Sequence, residues 1–230
     1  MSEITQILYQ ISVMAIPVLV AITFHEAAHG WVACRLGDDT AQRLGRVTFN
    51  PLRHIDPFGT VVLPAMLLLA TQGQAMFGFA KPVPVNFHRL HRPRFDMVLV
   101  AAAGPGINLL LALVSAMLLN GAVLVPDGLG DWLANVLVVG VFFNVLLAVF
   151  NMLPLPPLDG GRVAVGVLPD VVARPLANLE RYGFIIIIAA LFLLPFIGSK
   201  LGLDLDLFQW LVFGPAERLT GVILRLAGAG

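Results

Sequence analysis

The stretch "ITFHEAAHGWV" (22–32) places His25, Glu26 and His29 inside a long apolar run. Residues four apart share one face of a helix, so the two imidazoles can hold one metal ion between them. Glu26 sits about 100° around the same helix, near enough to take a proton from a water on that ion. This is the H-E-x-x-H spacing of zinc-dependent hydrolysis, in which the metal lowers the pKa of its water to about 7 and polarises a carbonyl. The competing reading is a helix end with interfacial histidines and no metal. Three such groups at membrane depth are costly unless partnered, and Arg35 is the first interface anchor after them.

A catalytic zinc needs a third protein ligand and an open position. His54, His88, His91, Asp56, Asp96 and Asp159 are available. Asp159 is the best placed, in "FNMLPLPPLDGGRV", where three prolines unwind a preceding apolar segment and two glycines allow close backbone approach. On spacing alone it is equally a turn aspartate of a D-G-G sequence.

The elements that must position these groups are membrane helices. Of 230 residues, 58% are hydrophobic and 12% charged, against about 25% charged in a soluble domain. Mean hydropathy is +0.89. A net charge of zero argues against a nucleic-acid partner, and the lone Cys34, read as a small buried residue, excludes an internal disulfide. Five segments approach the ~20 apolar residues a span requires: 4–34, 95–122, 131–152, 182–198 and 206–226. The last is interrupted by Glu217, Arg218 and Arg225 and could instead lie flat in the interface. The first lacks the basic start of a cleavable signal peptide.

Eleven of the 14 Lys and Arg fall in 35–57, 81–94 and 160–181. The positive-inside rule puts these three regions on the cytoplasmic side and the N-terminus outside. Regions 35–57 and 81–94 can share a side only if the shorter apolar run 58–71 enters the membrane and returns. Segments 4–34 and 131–152 then run in the same direction, which brings Asp159 to the end where His25 and His29 lie. The stretches "RVTFN" (46–50) and "KPVPV" (81–85) could offer strand edges to an extended substrate, Pro82 and Pro84 being compatible with an edge. The rival reading is an interfacial loop. His54 reads as a loop histidine, and His88 and His91 as interfacial residues facing anionic lipid.

"FHEAAHG", "NPLRHIDPFGT", "FAKPVPVNF", "AGPGIN" and "NMLPLPPLDGG" follow one another in the order found in the site-two protease family of intramembrane zinc metallopeptidases. Over about residues 20–165 the chain resembles the small prokaryotic branch, without PDZ or CBS modules. The resemblance implies that His25, His29 and Asp159 ligate Zn2+, that Glu26 is the catalytic base, and that Asn151 and Asn108 contact substrate or lie beside the site. Both amides could serve a developing oxyanion without bringing charge into oil, or simply hydrogen-bond between helices. Asn144 reads as structural.

The expected protein is an all-α polytopic bundle of five to six membrane segments with a short re-entrant piece and possible small β elements. It is expected to form one peptidase domain over 1–230, with a catalytic core of about 4–168 and C-terminal helices at about 180–226. The expected activity is hydrolysis of membrane-spanning protein substrates in the prokaryotic cell membrane, with the lipid bilayer as surroundings, the site toward the cytoplasm, and the oligomeric state undetermined. A membrane metal-binding protein or transporter using the same ligands is the alternative, and a proteolytically silent binder of membrane segments is a second.

Overall fold

A computed structural model describes residues 3–70, 78 and 80–229. The helices are α1 (Glu3–Arg35), α2 (Thr40–Arg43), α3 (Leu63–Ala70), α4 (Pro93–Ala122), α5 (Leu129–Asn151), α6 (Asp159–Val167), α7 (Asp170–Asn178), α8 (Glu180–Ile188), α9 (Leu194–Leu201) and α10 (Gly214–Leu226). Wider π-helical turns at Pro57–Val62 and Ala189–Leu193 lead into α3 and join α8 to α9. Among the described residues, four helical stretches are long and apolar enough to cross a membrane: α1, α4, α5 and the continuous run Glu180–Leu201. Large apolar side chains such as Ile7, Ile11, Leu110, Met117, Ile185 and Phe196 point outward from them. In water so extensive an apolar surface would be a liability; in a bilayer it is the face that meets lipid. The protein is an all-α, multi-pass membrane bundle.

Helices α1, α4 and α5 form the core. Side-chain contacts give their directions. His25 and His29 of α1 meet Asn108 and Val100 of α4 in reversed order, so these helices are antiparallel. Trp132 of α5 donates to Ser12 of α1 at 3.0 Å near one end, and Asn144 meets Asn108 farther along, so α5 runs with α1. Small residues permit the close approach: Ala112 and Ala116 of α4 pack on Val141 and Val145 of α5.

The helix that includes α10 packs along this core rather than lying flat. Phe208 meets Phe150 edge-to-face (centroids 5.9 Å apart), Phe213 stacks with Phe142 (6.3 Å), and Asn120 of α4 donates to the Ala227 carbonyl at 2.7 Å. It therefore runs antiparallel to α5, with Ala216 and Ile223 in the core and Glu217, Arg218 and Arg225 turned outward.

The segment after α1 is tied back on itself. Gly37, at φ +110°, turns the chain out of the helix, a conformation that favours glycine. The Lys81 N–H donates to the His54 carbonyl at 2.9 Å, so the chain leaves at residue 54 and is back at the same place by residue 81. Arg46 clamps the return by donating to the carbonyls of Lys81 (2.8 Å) and Pro82 (3.3 Å), while buried His54 holds the Thr48 carbonyl at 3.0 Å. Asp38 accepts from the Asn86 N–H at 2.6 Å, and the His91 N–H donates to Leu36 O at 2.9 Å. The basic regions 35–57 and 81–94 thus meet, as an excursion that returns requires. The end of the 58–71 run falls outside the described residues.

The small β elements are absent among the described residues. Residues 46–50 and 81–85 do not pair in a ladder. Pro82 and Pro84 have no N–H to give one, and the hydrogen bonds of the second stretch go to the His54 carbonyl and to the side chains of Arg46 and Glu26.

Between α5 and α6 the chain makes a tight turn through Pro154, Pro156 and Pro157, with a cis bond between the last two prolines. Its hydrogen bonds are local: Leu155 N to Leu153 O at 2.8 Å and Leu158 N to Leu155 O at 2.9 Å. Gly160 and Gly161 press on the backbone of this turn, and Gly183 of α8 on Pro156 and Pro157, each where a Cβ would collide. Gly183→Val should therefore push α8 off the turn, a misfit of about 1–3 kcal/mol. A lower unfolding midpoint of the purified protein in detergent, relative to wild type, is the expected result.

Candidate metal centre

Three side chains from two distant parts of the chain converge. His25 and His29 project from one face of α1, and Asp159 is the first residue of α6, delivered there by the proline turn. The two Nε2 atoms stand 3.0 Å apart, and Asp159 Oδ2 lies 3.2 Å from one and 3.3 Å from the other. All three residues are buried.

Acceptors on the far side of each ring draw the hydrogens of the neutral imidazoles away from these atoms. His25 Nδ1 faces Asn108 Oδ1 at 2.6 Å and His29 Nδ1 faces the Val100 carbonyl at 2.7 Å. Both partners only accept, so each neutral imidazole carries its hydrogen on Nδ1 and presents a bare lone pair at Nε2. Asp159 Oδ2 is enclosed and receives no hydrogen bond. Three electron pairs therefore point at one spot in a low-dielectric interior, an arrangement that repels itself unless a cation sits there.

The spacing fits one cation in particular. Donor atoms 2.0–2.1 Å from a shared zinc at tetrahedral angles stand about 3.3–3.4 Å apart, close to the 3.0–3.3 Å triangle found here. Two imidazoles and one carboxylate suit zinc and leave its fourth position open.

Helix α4 shapes this centre with one face. Val100, Gly104 and Asn108 follow at four-residue steps. The outer two take the histidine hydrogens. At Gly104 a Cβ would stand 2.5 Å from His29 Nε2 and 2.6 Å from His25 Nε2, so only hydrogen fits against the two rings. Glu26, half-buried and one residue past His25, accepts the Val83 N–H at 2.6 Å through Oε2, which brings the 81–85 stretch over the site.

Of the remaining expected residues, Asn108 adjoins the triangle and the others make their hydrogen bonds away from it. Asn151 donates to Leu147 O of its own helix at 3.0 Å, and no hydrogen bond joins it to the triangle. Asn108 is buried and spends its oxygen on His25. Asp56 caps the turn at Phe58 and Gly59, and Asp96 accepts the Arg92 N–H at the start of α4. Among the described residues, the His25, His29 and Asp159 group alone could hold a metal ion. Sequence reasoning missed Gly104, the Val100 carbonyl and the second amide, Asn144, which Asn108 reaches at 2.9 Å. Asn108 was itself a signal for Gly104: a glycine one turn before an asparagine facing the site.

A helical membrane bundle that carries a buried two-histidine, one-aspartate centre with a glutamate beside it has the build of a membrane metallopeptidase. The sequence profile of peptidase family M50 matches residues 13–127 and 128–195, and the chain belongs to that family, the site-two protease family. It is a zinc metalloprotease. YwhC of Bacillus subtilis is 38% identical over 198 residues, which cover 81% of this chain and 84% of that protein. Rip2 of Mycobacterium tuberculosis is 34% identical over 212 residues, 92% of this chain and 75% of that protein. RasP of Bacillus licheniformis is 27% identical over 163 residues, 70% of this chain but 32% of its own length. All three are named as zinc metalloproteases. No solved structure matches the chain.

Gly104→Ala should displace both imidazoles and weaken zinc binding by at least about 10-fold, the scale of a disturbed ligand environment. Gly106→Ala on the same helix, where an added Cβ meets nothing, should leave it unchanged. Zinc content after equilibration with a chelating dye distinguishes the two.

Proposed function

We propose that this metalloprotease cuts peptide bonds of membrane-embedded protein substrates, with His25, His29 and Asp159 as zinc ligands and Glu26 as general base. The observation that carries this reading is the triangle of three bare donor atoms at 3.0–3.3 Å, with Glu26 on the adjacent helical position. Zinc bound there supplies a Lewis acid that acidifies a water and polarises the peptide carbonyl.

The chain's own groups do the rest. The Glu26 carboxylate accepts the proton of the attacking water and returns it to the leaving amine as the C–N bond breaks. The Asn108 and Val100 oxygens keep the imidazole hydrogens turned away throughout. A helical substrate must unwind first, and its freed N–H and C=O groups then need partners. The extended 81–85 stretch, whose Val83 N–H already reaches Glu26, is placed to hold such a strand against the base. Asn151, half-buried at the end of α5, is a candidate substrate contact.

The positive-inside rule supports a cytoplasmic-side site in the cell membrane, because the loops that close over it are basic. Residues 1–230 are read as one peptidase domain, with the catalytic core at about 4–168.

A membrane metal carrier would use the same ligands but would have no need of a base, and carriers of paired, broken helices show an internal repeat that this chain lacks. Glu26→Gln should retain zinc while cleavage of a membrane-embedded reporter falls about 10²–10⁴-fold. Asp159→Ala should lose both. Retained zinc in Asp159→Ala, or full cleavage by Glu26→Gln, would overturn the assignment.

A further inference from the structure

A line of buried amides runs from the metal centre into the helix interface behind it. Asn108 Oδ1 takes the His25 Nδ1 hydrogen at 2.6 Å. Asn108 Nδ2 donates to the Ala21 carbonyl of α1 at 3.1 Å and to Asn144 Oδ1 of α5 at 2.9 Å. Asn144 Nδ2 in turn donates to the Gly140 carbonyl at 2.8 Å. Asn108 is 0% exposed and Asn144 2%, so neither is open to a substrate.

The two histidines are held by unlike partners. His29 gives its hydrogen to a main-chain carbonyl, which cannot turn round. His25 gives its hydrogen to a side-chain amide, whose oxygen and nitrogen ends have nearly the same shape. Were that amide reversed, its NH₂ would face His25 Nδ1, and the imidazole would move its hydrogen to Nε2. That hydrogen would then point at Asp159 Oδ2, 3.2 Å away. The site would be satisfied without a metal. Two acceptors fix the Asn108 amide by its nitrogen, the Ala21 carbonyl from α1 and the Asn144 oxygen from α5, and Asn144 is the one supplied by a side chain. Its oxygen is turned to Asn108 because its own nitrogen is committed to Gly140.

We propose that Asn144 is a positioning residue of the metal centre, which holds the Asn108 amide in the one orientation that leaves His25 Nε2 bare. The proposal rests on the reading of His25, His29 and Asp159 as metal ligands. A plain interhelical hydrogen bond, the ordinary role of an asparagine in a membrane helix, would give adhesion between α4 and α5 but would not act through His25.

The test is a double-mutant cycle on the purified full-length protein in detergent, with zinc affinity measured by competition with a chelating dye. Asn144→Leu should weaken zinc about 10-fold, the lower end of what outer partners of metal ligands cost. In an Asn108→Asp background the same substitution should change zinc affinity less than about 2-fold, because a carboxylate accepts at both ends and has no wrong orientation. Unchanged affinity in Asn144→Leu overturns the proposal, and so does an equal loss in both backgrounds, which would mark a role in packing alone. If the double variant does not fold, histidine ¹⁵N shifts of metal-free Asn144→Leu decide. A mixed His25 tautomer supports the proposal and a pure Nδ1–H form refutes it. Asp159→Ala in the same assay tests the ligand reading separately, since zinc retained there removes the ligand set and leaves the amide orientation to the ¹⁵N shifts.

Discussion

Electron pairs from two imidazoles and a carboxylate, aimed at a common point inside a membrane bundle, are the constraint around which the rest of the protein is arranged. Left to themselves these groups would separate, or a hydrogen would slip between them. Here each hydrogen is drawn outward, by Asn108 for His25 and by the Val100 carbonyl for His29. A divalent cation held there would cancel the repulsion that remains, an attraction that is large in a low-dielectric interior. The affinity of the proposed metal site would thus be stored in the packing of α1 against α4.

That packing depends on what is missing from α4 as much as on what it carries. Val100, Gly104 and Asn108 form a single stripe, and the glycine in the middle lets the helix backbone come up to the imidazoles. The same logic recurs on the other side of the centre. Gly160, Gly161 and Gly183 allow the proline turn to fold against α6 and α8, and the turn in turn fixes where Asp159 starts its helix. Lipid contributes no hydrophobic drive between membrane helices, so association rests on close contact and buried hydrogen bonds. The hydrogen bond between Asn108 and Asn144 joins α4 to α5 in that way.

The loops over the centre solve a different problem. Hydrolysis requires water and an extended substrate, neither of which the bilayer core offers. Asp38 and Arg46 tie the chain that leaves α1 to the chain that returns, at Asn86, Lys81 and Pro82, and the returning chain lays the Val83 N–H on Glu26. Polar backbone is tolerated at this depth because side chains and neighbouring carbonyls satisfy it. The proposed base, the proposed metal ligands and the irregular 81–85 stretch are thereby held together.

How much of this the amino-acid order alone determined follows from the range of each interaction. Helix length, the apolar runs, the clustering of arginine in three regions and the His25–Glu26–His29 spacing are local properties, and each is legible in the sequence. The partnership of Asp159 with the histidines was legible in part, from helix direction and the family motifs. The two proposed strand edges showed the limit of local reading: β-compatible residues formed no ladder, because Arg46 and Glu26 took the hydrogen bonds a neighbouring strand would have taken. Gly104, the Val100 carbonyl and Asn144 acquire meaning only through neighbours 70 or more positions away, or through a second helix. A glycine's lack of a side chain and an amide's direction have no sequence period. Tertiary structure alone decided them, because each depends on the atom that stands opposite.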